Sequence, residues 1–289
     1  MVRIITDRAA DIEKEVALRL GIEILPFSLS IGGEELTADI NMSAQDFYNK
    51  LKEREGEYPK TGQMSPLDLE DIFRKYDKED QIIYISISAK GSGINATANM
   101  VASQLRDEGY DITVVDSKMY AMALGRPVIE AAEMAKRGAG KEEIIAYVEE
   151  CFSRDTAYFI VDDLTFLQKG GRIKPTAMAI SKILDIKPIL MVTDGLVEAY
   201  KKVRGMKKAM SVLVGYVLER MDEPEKNEIV ILHTDASDKA EQLRGMLEEK
   251  VKPGSISASE VGPIITAHTG LGLIGLYFKH KKPYTEYDK

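Results

Sequence analysis

Short apolar runs rich in β-branched residues recur along this chain, separated by stretches whose apolar positions repeat every three to four residues. The first pattern reads as buried strands and the second as helices with one buried face. Strands are predicted over Val2–Thr6, Ile22–Ser30, Gln81–Ser86, Ile112–Val115, Ala157–Val161, Ile186–Val192, Glu228–His233 and Ile256–Val261. Helices are predicted over Ala9–Leu20, Ser43–Arg54, Pro66–Tyr76, Ile94–Glu108, Met119–Lys136, Lys141–Ser153, Thr176–Leu184, Met206–Met221 and Ser237–Lys250. Ser43 with Asp46 three residues on marks a helix start, and Gly21, Gly109 and Gly138 sit at or near helix ends.

Strand–helix alternation in the first half predicts a mainly parallel sheet with helices on its faces, a three-layer α/β/α arrangement. Ile31-Gly32-Gly33-Glu34 reads as a hairpin turn. Met191–Val197 is a tight turn between apolar runs, so the second half is expected to carry a mixed or antiparallel sheet. The expected fold is α/β, with an amino-terminal domain over 1–155 and a carboxy-terminal α/β domain over 156–289.

Composition narrows the class. The chain has 289 residues, 44% hydrophobic and 30% charged, which is globular and long enough for two packed domains. One cysteine, Cys151, excludes an intramolecular disulfide and a thiol metal cluster, and fits a reducing, cytoplasmic setting. Met1–Asp7 reaches a charged strand at once, so no signal peptide is expected. The net charge of −8 argues against nucleic acid as a partner.

From Val261 to Phe278 no charged residue occurs, yet the run holds four glycines, two threonines and His268. Pro263, the glycines and His268 argue against an integral membrane segment. The run reads as a loop followed by a core strand, and as an apolar wall carrying a few hydrogen-bond donors. The alternative is a buried strand with one satisfied histidine.

Gly91-Ser92-Gly93 follows a strand, opens a helix and is trailed by Asp116, which approaches the dinucleotide-binding pattern. Gly91 falls late after its strand, and a helix N-terminus beside Ser92 equally suits a carboxylate or phosphate. Ser65 before Pro66 reads as a helix cap, which leaves Thr61 without a local role. Lys169-Gly170-Gly171-Arg172 is a basic loop, either solvated or a contact for an anionic partner. Asp7, Asp11 and Asp116 match no metal-ligand spacing and suit capping instead. No nucleophile elbow, zinc-binding helix motif or Walker loop is present, and no cofactor or metal is expected.

The ordered set Thr6-Asp7 with Asp11, Lys60-Thr61, Ser65-Pro66, Ser88, Ser92-Gly93, Val115-Asp116-Ser117, Leu167–Arg172, Lys187–Leu190, Arg204, and Gly262-Pro263 with His268, Gly270, Gly272 and Gly275 resembles the DegV family of bacterial fatty-acid-binding proteins. The resemblance runs over nearly the whole chain. Arg8 and Gly62 stand where that family usually has serine, Ile94-Asn95 where Thr-Tyr is common, and Leu271 where a proline is common.

The resemblance implies a two-domain carrier that is not itself an enzyme and holds one long-chain fatty acid in an apolar tunnel. It implies that Thr61 and Ser92 hydrogen-bond the carboxylate, with His268 and Arg204 close by. It further implies that the acid is presented to a fatty acid kinase subunit and that the acyl phosphate feeds phospholipid synthesis. Lys169 and Arg172 are expected to contact that kinase. The competing expectation is an enzyme, either a nucleotide-dependent oxidoreductase or a serine esterase working from the Gly91-Ser92-Gly93 loop.

Overall fold

The structure is a computed structural model and describes residues 1–174 and 186–287. It is a mixed α/β fold with three sheets among the described residues. The first has the order β2 (Glu23–Leu25), β1 (Val2–Asp7), β6 (Gln81–Ser86) and β7 (Asp111–Asp116), all parallel. Its central strand β6 reads Ile-Ile-Tyr-Ile without alternation because both of its faces are covered. The edge strand β7 is less covered, with only Ile112 and Val115 fully buried.

The second sheet is antiparallel, ordered β4 (Glu34–Ala38), β3 (Phe27–Ile31) and β5 (Lys60–Gly62). The third has six strands, ordered β10 (Leu196–Arg204), β9 (Ile186–Thr193), β8 (Ala157–Ile160), β13 (Ile274–Phe278), β11 (Glu228–His233) and β12 (Ser255–Glu260). Only its β11–β12 pair is parallel. The mainly parallel amino-terminal sheet and the mixed carboxy-terminal sheet are those expected. No helix among the described residues is long and apolar enough to cross a membrane.

Register decides which face of the six-stranded sheet meets the rest of the molecule. Paired residues of antiparallel neighbours point the same way. Val197, Val192, Ala157, Phe159 and Leu232 therefore share one face, and this face looks toward Phe27, Ile87 and Tyr120 of the amino-terminal half. The opposite face carries Tyr158, whose ring neighbours Tyr200, Tyr216 and the guanidinium of buried Arg220.

Several boundaries differ from the sequence expectation. The run Ile22–Ser30 breaks at Pro26, which lacks the N–H a continuous ladder needs, and its halves join different sheets. The helix expected from Ala9 starts at Lys14, because the Asp7 side chain accepts the Ala9 amide in a short 3₁₀ turn and Asp11 then takes a left-handed conformation at φ 53°. The basic loop begins as a helix, Thr165–Gly170. The loop expected after Val261 is the helix Pro263–Thr269, with Pro263 placed where no N–H is required. The helix expected over Thr176–Leu184 lies outside the described residues.

Two hairpins follow their turn residues. Gly32-Gly33 have φ of 58° and 79°, and Asp194-Gly195 have 49° and 78°, the paired positive values of a type I′ turn. The second turn docks on the other half of the molecule. The Gly195 carbonyl accepts from Ser88 Oγ at 2.8 Å and from Tyr120 Oη at 2.6 Å.

This difference predicts unequal costs for one substitution. Gly33→Ala meets nothing nearby, so it should cost about 1 kcal/mol for the positive φ alone. Gly195→Ala places a methyl 2.5 Å from Ser88 Oγ. It should cost roughly 1–2 kcal/mol more, since the docking hydrogen bond breaks as well. Urea unfolding midpoints of the two variants measure this, and equal costs would show that the turn does not bear on Ser88.

Candidate functional site

Between the two halves lies a cavity of about 320 Å³, bounded by the inward face of the six-stranded sheet, the Pro263–Thr269 helix, Phe27 and Thr61 of the small sheet, and the loop after β6. Most of its wall is apolar, contributed by Phe27, Ile87, Phe159, Val192, Leu232 and Ile264. Its polar groups are Thr61, Gln63, Ser92, Tyr120, Arg172, His268 and Thr269.

Thr61 pairs with Leu29 across β5 and β3, so it shares the inward face with Phe27. Its Oγ1 lies 2.9 Å from His268 Nε2, a contact that bridges 207 positions of sequence. The other ring nitrogen, Nδ1, is buried and has no hydrogen-bond partner among the described residues. It rests against Gly170, where a Cβ would stand only 2.5 Å away. The two glycines of the basic segment thus do different work. Gly170 admits the imidazole, and Gly171 takes φ 72° to end the Thr165–Gly170 helix.

Burial, and then the nearby charge of Arg172, lower the His268 pKa to about 4. The ring is therefore neutral at pH 7 and carries one proton. A proton on Nδ1 would leave a buried N–H with no acceptor. A proton on Nε2 is donated to Thr61 Oγ1 instead, which leaves the threonine's own proton free for the cavity. Geometry thus favours the Nε2–H tautomer.

Arg172 belongs to the cavity wall. It donates from Nε to the Gly91 carbonyl at 2.9 Å and from Nη1 to the Gly170 carbonyl. The sequence expectation for it is a partner contact; the structure sets its guanidinium at the cavity wall, with two of its donors engaged there. Lys169 does stand outside, with Nζ 3.4 Å over the Tyr58 ring. Arg204 is exposed at the end of β10 and is not among the residues that line the cavity.

Ser92 lines the cavity half-buried, at the start of the Ile94–Asp107 helix. Gly91 and Gly93 line it too, but neither leaves an open cradle. A Cβ at Gly91 would meet Tyr120 Oη at 2.4 Å, and one at Gly93 would meet Gln63 Oε1 at 2.6 Å. Asp116 accepts the amides of Ala89 and Lys118, a local capping role. The dinucleotide pattern is therefore filled by the protein's own side chains. Sequence reasoning missed Tyr120 and Gln63, whose parts follow only from the close approach of other segments to these glycines.

Full-length matches accompany this geometry. The family model described as "Uncharacterised protein, DegV family" matches residues 1–281. The chain belongs to the DegV family. A DegV domain-containing protein of Clostridium perfringens is 35% identical over 95% of this chain and 96% of its own. One from Caldanaerobacter subterraneus subsp. tengcongensis is 31% identical over 97% and 99%. The crystal structure of DegV from Bacillus subtilis, described as a fatty acid binding protein, is 30% identical, with a TM-score of 0.82 over 97% of this chain and 99% of that one. A DegV family protein from Thermus thermophilus, whose structure is described by its fatty acid binding, is 26% identical, with a TM-score of 0.86 over 96% and 99%.

The DegV cavity yields a pH prediction. The folded pKa of His268 lies below the ordinary value of about 6.5, so the stability it contributes is complete above pH 6.5 and is lost as pH falls toward 4. The loss should be on the order of 3 kcal/mol, and His268→Gln should remove most of that slope. Nitrogen-15 NMR of the imidazoles should show a neutral, Nε2-protonated ring at pH 7. A protonated ring, or the Nδ1–H tautomer, would contradict the assignment.

Proposed function

We propose that this protein binds a long-chain fatty acid, with its carboxylate at Thr61, Ser92 and Arg172 and its tail in the apolar cavity. The observation that carries the reading is a largely apolar chamber whose hydroxyl, guanidinium and imidazole groups are joined in one patch. Burying methylenes at about 0.8 kcal/mol each supplies the affinity. The polar patch then has only to keep the carboxylate from being buried unpaired. Two hydroxyls can each donate to it, and Arg172 supplies the countercharge. The fatty acid binding stated for the Bacillus subtilis and Thermus thermophilus proteins supports this reading.

In this reading His268 acts through Thr61. By donating to Oγ1 it fixes the hydroxyl so that the free proton meets the carboxylate. An esterase would need His268 to activate Ser92 and to be oriented by an acid. The only hydrogen bond that the ring makes among the described residues is to Thr61. An oxidoreductase would need the Gly91 loop open, and Tyr120 and Gln63 fill it. Carriage of the acid, with the chemistry left to a partner, fits the geometry better.

That partner, in our reading, is a fatty acid kinase subunit, which the family resemblance suggests. Gln63 and Gly93, beside the hydroxyls, are exposed, so the carboxylate end lies next to solvent where a second protein can reach it. We assign Lys169 and Arg204, both exposed, to the contact surface rather than to the carboxylate.

Native mass spectrometry of the purified protein should show added mass equal to a long-chain fatty acid. Thr61→Ala and Ser92→Ala should each weaken acid binding by about 1–3 kcal/mol. A protein that stays empty with every acid offered, or variants that bind as tightly as wild type, would refute the placement.

The partner surface has its own test. Lys169→Glu with Arg204→Glu should lower acyl phosphate formation in a reconstituted kinase assay and leave fatty acid binding unchanged. Unchanged turnover would remove these residues from the contact.

A further inference from the structure

On the inward face of the six-stranded sheet, one row of side chains runs Val197, Val192, Ala157, Tyr277 and Val230 from β10 to β11. The row starts beside the head group, since the Val197 amide donates to the Arg172 carbonyl at 3.0 Å. Val197, Val192 and Ala157 line the apolar cavity. The next two, Tyr277 and Val230, line a separate cleft of about 250 Å³ together with Arg126, Glu130 and Lys279. The side chains of the floor thus shrink from valine to alanine, and the row then meets a tyrosine. Tyr277 stands three strands from Val197, roughly 14 Å at the usual strand spacing.

Two further observations mark that ring as a partition. Gly275, two residues before it on the same face, lies between Phe159 and Leu232, which both line the cavity. A Cβ there would stand 2.6 Å from Phe159 Cβ, so the missing side chain at Gly275 lets Phe159 close down on β13 beside Tyr277. Beyond the ring the surroundings change character. Arg126 pairs with Glu228 at 3.1 Å and Lys279 with Glu130 at 3.0 Å. A methylene pushed past Tyr277 would enter a cleft of ion pairs. The side chain is itself buried, and its hydroxyl has no hydrogen-bond partner among the described residues.

We propose that Tyr277 is the end wall of the acyl cavity and sets the longest chain that the protein accepts. The inference rests on the fatty-acid reading above and adds a chain-length determinant to it.

The test offers the full-length protein an equimolar mixture of saturated acids of 12 to 22 carbons and reads occupancy by native mass spectrometry. Tyr277→Ala should shift the bound population toward acids at least two carbons longer, with a gain of about fourfold per methylene newly buried. Tyr277→Phe keeps the wall and should keep the wild-type profile. Ala157→Leu fills the floor before the wall and should shift the profile toward shorter acids. Circular dichroism melting reports which variants fold. A folded Tyr277→Ala with the wild-type profile would overturn the proposal, and so would a Tyr277→Phe that shifts as far as the alanine. Should Tyr277→Ala not fold, an unchanged profile in Ala157→Leu would overturn it. A wild-type protein that takes up no acid of any length would instead sink the fatty-acid reading.

Discussion

An imidazole buried without charge between the two halves of the chain organises the site. His268 comes from the last turn of a helix late in the sequence, and Thr61 from an early, three-residue strand. Their contact requires a neutral ring, because burial and the Arg172 charge both disfavour protonation. It requires a bare backbone at Gly170 for the ring to rest on. It also settles the direction of the hydrogen bond, since only an Nε2 donor avoids a stranded N–H. The hydroxyl that faces the cavity is thus oriented before any ligand arrives, a form of preorganisation that lowers the cost of binding.

The same constraint explains how the labour of binding is divided. The part of the six-stranded sheet's inward face that bounds the cavity is apolar, and the cavity is the part of that contact left unfilled. Affinity comes from covering methylenes and orientation from a few polar groups at one side. The latch of the β9–β10 hairpin on Ser88 and Tyr120 and the Arg172 bond to Gly91 both tie the carboxy-terminal half to the loop that carries Ser92. The head-group site is therefore assembled by long-range pairing and not by any single motif.

That assembly also marks what could be read from the sequence. Elements with a local cause were legible. The unalternating Ile-Ile-Tyr-Ile run gave a strand of a parallel sheet, and Gly32-Gly33 and Asp194-Gly195 gave tight turns. Ser43 and Ser65 gave helix caps, each accepting the amide three residues on. Elements decided by distant partners were not. The apolar tail from Val261 has a helix at its centre because Tyr48 and the amino-terminal turn pack around its start, with Tyr48 Oη donating to the Val261 carbonyl at 2.7 Å. Arg172 reads as a solvated cation until Gly91 is found beside it. Thr61 stood out in sequence because nothing local used its hydroxyl, and the residue that uses it lies 207 positions away.

The central claim is the placement of one carboxylate, and a high-resolution crystal structure of the protein grown with a saturated sixteen-carbon acid addresses it most directly. The account predicts a single acyl chain in the cavity, with its carboxylate within hydrogen-bond distance of Thr61 Oγ1 and Ser92 Oγ, its charge facing Arg172, and His268 touching it only through Thr61. A chain lying with its methyl end at Thr61, bound outside the cavity, or held by His268 directly with Thr61 turned away, would contradict it.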